Sequence, residues 1–222
     1  MIEMKINAGV SGHFTMMTTN TKTGEQKVVA SFPNLILDAG LERMGTVSYL
    51  DVCRVGSGTS LPTVLQTQLD AKIASTNTKQ TSLIGAQATP PYYGWRRITF
   101  RFAAGTATGN LSEVGVGWGN ITTDNFLFSR ALIVDGGGLP TTINVLADEV
   151  LDVIYELRLY PPTTDVTISD LNLGLSTHTV TVRAASVNSS AYWGQGLGDA
   201  VLVSRNNSAA LQNGTLGAIT AN

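Results

Sequence analysis

The sequence predicts an all-β chain folded as an antiparallel β-sandwich, jelly-roll or immunoglobulin-like, with one or two short helices and an extended C-terminal arm. Apolar residues recur at every second position in several separate runs, as in strands with one buried face. Those runs are divided by Gly- and Pro-rich punctuation such as Gly136-Gly137-Gly138-Leu139-Pro140 and Pro161-Pro162. Only 14% of the 222 residues are charged, whereas 23 are glycine. That balance suits short strands joined by tight turns, since glycine reaches positive φ without steric penalty.

Residues 12–32 read as a hairpin. Phe14 and Met16 alternate with threonines, Lys22-Thr23-Gly24-Glu25 supplies the turn, and Val28, Ala30 and Phe32 alternate on the return. Pro33 ends the strand. Asn34 is placed to cap a short helix over 34–45 with the stripe Leu37, Leu41 and Met44 and with Gly45 at its end. A second helix-period patch, Leu65, Leu69 and Ile73, follows Pro62.

From Trp95 onward period two dominates. Arg96, Ile98, Phe100 and Phe102 take one face, and Arg97, Thr99 and Arg101 the other. The clearest strand sets Leu151, Val153, Tyr155, Leu157 and Leu159 against Asp152, Glu156 and Arg158. Further alternation joins Leu171, Leu173 and Leu175, then Val180 and Val182. One sandwich domain over 1–193 is expected. Residues 194–222 change character to Gly, Asn, Ala and Ser around Val201-Leu202-Val203, and read as an arm.

Composition limits the function classes. A net charge of −2 and a pI near 5.6 give no general attraction to nucleic acid or anionic lipid. The one basic cluster, Arg96, Arg97 and Arg101 beside Trp95, is narrower than a phosphate-binding footprint and reads as a strand's solvent face. Cys53 is the only cysteine, so no intrachain disulfide forms, and a buried inert thiol is expected. Residues Met1 to Ile6 lack the order of a signal peptide, and no apolar run approaches about 18 residues. Folding in a cytoplasm, with no membrane and no nucleic acid as partner, is the expectation.

The search for chemistry yields no catalytic, cofactor or metal residues. His13 and His178 stand alone in strand-like sequence. Asp148, Glu149 and Asp152 form the one acidic cluster. In a strand Asp148 and Asp152 would share a face, as a glycosidase pair must, but a strand's polar face explains them more simply. Gly56-Ser57-Gly58 lacks the third glycine of a dinucleotide loop, because Leu61 stands there. Glycines in Gly115-Val116-Gly117-Trp118-Gly119 suggest a strand needing close backbone approach.

Five stretches, in order, carry a resemblance. They are Pro33-Asn34-Leu35-Ile36-Leu37-Asp38-Ala39-Gly40-Leu41; Arg54-Val55-Gly56-Ser57-Gly58-Thr59-Ser60-Leu61-Pro62 with Thr67-Gln68-Leu69; Gly109-Asn110-Leu111-Ser112-Glu113-Val114-Gly115-Val116; Leu127-Phe128-Ser129-Arg130-Ala131-Leu132; and Leu146-Ala147-Asp148-Glu149 leading into Tyr155-Glu156-Leu157-Arg158-Leu159-Tyr160. This layout of residues 31–160 resembles tail-associated structural proteins of tailed bacteriophages, including tail-fibre and collar-type proteins. The resemblance implies a multimeric virion component with no catalytic residues, assembled in the host cytoplasm through contacts with itself and other virion proteins. Candidate interface residues are Tyr192, Trp193, Val201, Leu202 and Val203, because a β-prone arm can add a strand to a neighbour. An alternative is a module recognising a receptor or a host surface glycan through Tyr92, Tyr93, Trp95, Trp118, Tyr192 and Trp193. A capsid decoration protein is a variant of the structural reading.

Overall fold

The computed structural model describes residues 8–44, 48–162, 164–172 and 177–182. The interface candidates Tyr192, Trp193, Val201, Leu202 and Val203, the arm 194–222, and Gly45, Leu173 and Leu175 lie outside the described residues.

Two five-stranded antiparallel sheets pack face to face, giving the expected all-β sandwich. The first has the order β2 (Gln26–Pro33), β1 (Gly9–Asn20), β12 (Glu149–Tyr160), β7 (Tyr93–Phe102) and β6 (Lys79–Gln87). The second runs β3 (Leu35–Ile36), β10 (Leu127–Leu132), β9 (Glu113–Gly117), β4 (Val52–Gly56) and β5 (Lys72–Thr76). Neighbouring pairs β1–β2, β4–β5, β6–β7 and β9–β10 are each consecutive in the chain, so hairpins alternate between the two sheets. Short strands β8 (Gly109–Leu111) and β11 (Ile143–Val145) pair beside the core, and β13 (Val166–Asn172) pairs with β14 (Thr177–Val182).

Period-two alternation places the core as expected. Leu151, Val153, Tyr155 and Leu157 are inaccessible, as are Ile98, Phe100 and Phe102 on the neighbouring strand. They face Val55, Val114, Val116 and Phe128 of the second sheet. Tyr155 links the layers, with its ring 4.8 Å from Phe14 and edge-on to Phe128 at 6.5 Å. Cys53 is buried in this core, where loss of solvation pushes its thiol pKa up.

Local expectations differ from the structure in three places. The hairpin's return strand puts Val28 outside, because a bulge pairs Met16 with Ala30 but Met17 with Val28 and so shifts the alternation by one residue. The helix is shorter than 34–45. α1 spans Asp38–Arg43, with Leu37 rather than Asn34 at the N-cap position. Asn34 instead donates its amide to the Tyr155 hydroxyl at 3.2 Å. Leu37, Gly40 and Met44 form the buried stripe and Leu41 is exposed, since a Cβ at Gly40 would collide with the Phe128 backbone and only glycine lets α1 lie that close. Residues 65–73 form no helix: turns and irregular backbone run to Ala71, and Ile73 belongs to β5.

Candidate functional site

Three strands of the second sheet each carry one charged residue: Arg54 in β4, Glu113 in β9 and Arg130 in β10. All three are 0% exposed. Burial of a charge is costly unless it is paired and hydrogen-bonded, so their partners show what they are for.

Glu113 and Arg130 face each other. The guanidinium donates to Glu113 Oε2 from Nε at 3.0 Å and from Nη2 at 2.8 Å. Its Nη1 reaches Gln66 Oε1 at 2.8 Å, and Nη2 also reaches Asp70 Oδ2 at 2.8 Å. Glu113 in turn accepts backbone N–H groups from Gly58 (2.9 Å), Ala71 (2.8 Å) and Asp70 (3.1 Å). Every one of these outer partners lies on the connection between β4 and β5. The buried pair is therefore a clamp on residues 57–71.

That connection has the form of an Ω-loop, with its ends joined by the Ser57 N–H donating to Ala71 O at 2.9 Å. Gly56 and Gly58 are needed where the loop meets the clamp, because a Cβ on either would run into Glu113 and the returning chain. Ser60 donates to Asp70 from both backbone and hydroxyl. This Ser60 hydroxyl bond, assisted by Arg130, holds the Asp70 carboxyl below its ordinary pKa. At the tip, Gln66 Oε1 also accepts the Thr63 N–H at 2.9 Å, which connects Arg130 to the turn after Pro62. Leu69 is the loop's apolar anchor, packed with Leu37 and Leu127. Asp38 N–H donates to Val64 O at 3.0 Å and ties the loop to α1.

Held this way, the loop presents apolar side chains outward. Leu61 is 73% exposed and Leu65 80%, with Val64 beside them. Gly56 ends β4 and Gly58 lies in the loop, and both glycines make room for a buried carboxylate rather than a phosphate.

Arg54 does the same for the β9–β10 connection. Its guanidinium donates to Thr123 O (2.8 and 3.1 Å) and Trp118 O (3.0 Å). Burial lowers its pKa, while Cys53 and Asp124 act in the other direction. Gly115 and Gly117 permit the close approach expected, since a Cβ at Gly117 would overlap Phe126 O. Between the two clamped loops lies a polar cleft of about 220 Å³, lined by Arg54, Gln68, Leu69, Asp70, Lys72 and Asp124. Lys72 and Asp124 pair with each other across it.

The acidic cluster is not brought together. Asp148 precedes β12 and pairs with Lys22 of the first hairpin turn at 3.2 Å. Asp152 takes both Arg101 contacts, at 2.7 and 2.6 Å. Arg97 and Arg101 do lie on the outer face of their strand, and Glu156 bridges Arg97 and Arg158. Burial alone would raise the Glu156 pKa, but bonds from Arg97 and Arg158 hold it below the ordinary value. His13 meets Ser31 Oγ at 2.9 Å, and burial with Arg158 nearby lowers its pKa. Among the described residues no three His, Cys, Asp or Glu side chains gather as metal ligands.

Comparison with known proteins gives no match: no family model, no curated protein sequence and no solved structure corresponds to the chain. The fold and clamp define the protein as an all-β sandwich with a braced, apolar surface loop.

Proposed function

We propose that the chain is a non-enzymatic structural component of a bacteriophage virion, in the tail as an adaptor, collar, baseplate or fibre-base protein. It assembles through contacts with copies of itself and with other virion proteins. The observation that carries this reading is the clamped loop 57–71, where a buried ion pair fixes a backbone whose tip exposes Leu61, Val64 and Leu65. Pre-ordering a loop lowers the entropy lost on binding, and exposed leucines on it supply apolar area to a partner subunit. The stretches that resemble phage tail proteins add support, because Arg54–Pro62, Thr67–Leu69, Ser112–Glu113 and Ser129–Arg130 are the segments that meet in the clamp.

A second reading, glycan or receptor recognition, draws on the half-buried rings Tyr93, Trp95 and Trp118. Those rings already carry guanidinium groups: Arg158 over Tyr93 at 4.7 Å, Arg97 over Trp95 at 5.0 Å and Arg43 over Trp118 at 5.4 Å. A sugar stacking there would have to displace them, which favours assembly.

The test is incorporation. Purified phage particles should contain the wild-type chain in fixed stoichiometry by quantitative mass spectrometry. A Leu61→Asp/Leu65→Asp variant should melt like wild type yet be missing from particles. Its normal incorporation would remove the loop from the account, and absence of the wild-type chain from particles would remove the function.

A further inference from the structure

The two sheets have four edge strands, and they are not equally protected. β2 carries a bulge against β1, Lys27 and a terminal Pro33. β3 is only two residues long, and β5 only five, starting at Lys72. Bulges, charges, proline and shortness are the usual guards against edge-to-edge pairing. β6 has almost none of them. It is nine residues long, and Lys79 is its only charge. Its one register shift lies between Lys79 and Thr81, so Thr81–Gln87 is regular. No described strand pairs with it on the side away from β7.

The register shows what this edge offers. Ser82 lies opposite Ile98 on the core-side face yet is itself exposed, because the edge overhangs the core, while Leu83 lies opposite Arg97 on the outer face. There Leu83 is 52% exposed at the edge, two residues from Gly85 and the Trp95 ring on the same face. Gly85 lies under the Trp95 ring, which fills the space a side chain would take.

We propose that β6 is a homodimerisation edge, pairing antiparallel with β6 of a second copy about a two-fold axis at Leu83. Charge and shape favour the strand's own copy as occupant. A two-fold at Leu83 sets each leucine against its equivalent, Thr81 against Gly85, and the lone Lys79 against Gln87. No like charges oppose each other, as a self-complementary interface requires. Arg97 flanks the leucine pair on each side and is itself held by Glu156. The two first sheets then join into one continuous sheet. This deepens the assembly reading and rests on it only for the biological setting.

Sedimentation of the full chain tests the pairing. Wild type should sediment as a dimer. Leu83→Glu opposes two carboxylates at the axis, yet within one chain sits beside Arg97, so the subunit should fold and its mass should roughly halve. Leu83→Lys alone should also be monomeric, and mixing the two variants should restore the dimer through opposite charges. A monomeric wild type, or an unchanged mass for Leu83→Glu, would overturn the edge. So would a mixture that stays monomeric. None of these results bears on whether the chain is found in purified particles, so the edge and the virion reading fail separately.

Discussion

Arginine–carboxylate pairs appear in two regions of this molecule and do different work. On the outer face of the first sheet, Arg97, Arg101 and Arg158 remain between 36% and 46% exposed while binding Glu156 and Asp152. On the face of the second sheet covered by loop 57–71, Arg130 and Glu113 have no contact with water. Arg97–Glu156 and Arg101–Asp152 lie across strands already joined by backbone bonds, and Arg158–Glu156 lies within β12. The buried pair lies between a strand pair and a loop, and supplies bonds the loop cannot make for itself. Solvent reaches the arginines of the first set but hardly their carboxylates, at 3–10% exposed, and it reaches neither partner of the second. The same chemistry therefore decorates one sheet and organises the other.

The largest effect should follow from breaking the buried pair on one side. Arg130→Met leaves Glu113 buried without its counter-ion and should destabilise by about 3–5 kcal/mol in denaturant unfolding. The double variant Glu113→Met/Arg130→Met sharpens the comparison, because apolar replacement of a buried pair is often neutral. It should recover most of the stability while leaving loop 57–71 open to limited proteolysis. A double variant as protected as wild type would mean that Leu69 alone anchors the loop.

Core truncation comes next. Leu157→Ala, beneath the surface pairs, should cost about 2–5 kcal/mol. Unchanged melting would show that β12 is inside out. A smaller effect belongs to the half-exposed network: Arg101→Ala leaves the buried Asp152 without its partner and should cost about 1–3 kcal/mol, less than Arg130→Met because Arg101 is 40% exposed and water can take its place. A loss as large as that of Arg130→Met would erase the distinction between the regions.

The pH response is the smallest and most diffuse effect. Glu156 and Asp70 have folded-state pKa values below their ordinary ones, so the folded state binds fewer protons than the unfolded. Their contribution is complete above the ordinary carboxylate range and is lost as pH falls through the lowered values. His13, also lowered, adds a penalty that begins below its ordinary 6.5. Melting temperature should thus decline from pH 7 towards pH 3, and Glu156→Gln should flatten the acid limb.

Much of the fold was legible because strand periodicity reports burial directly. Leu151 through Leu159 and Ile98 through Phe102 have the alternation of a half-buried sheet, and they form its core. Val28 misled because a bulge is invisible to a pattern that assumes fixed register. Leu65, Leu69 and Ile73 misled because spacing alone cannot distinguish a helix from a loop with one buried anchor. The clamp was harder to see for a physical reason. Its directly bonded side chains are up to 64 residues apart, and each looks ordinary in its own segment. A signal was nevertheless present in Arg54, Glu113 and Arg130, single charges of complementary sign in otherwise uncharged strands. Such charges persist in a core only with partners, so each implied another.

Glu113 holds loop 57–71 against the face of the second sheet that points away from the intersheet core, and amide hydrogen exchange reads this directly. The N–H groups of Gly58, Asp70 and Ala71 donate to its carboxylate. They should exchange as slowly as the amides of β9, and Glu113→Met/Arg130→Met should accelerate these three while leaving β1 and β12 protected. Rapid exchange of the three in the wild-type protein, at the rate of an open surface loop, would contradict the account.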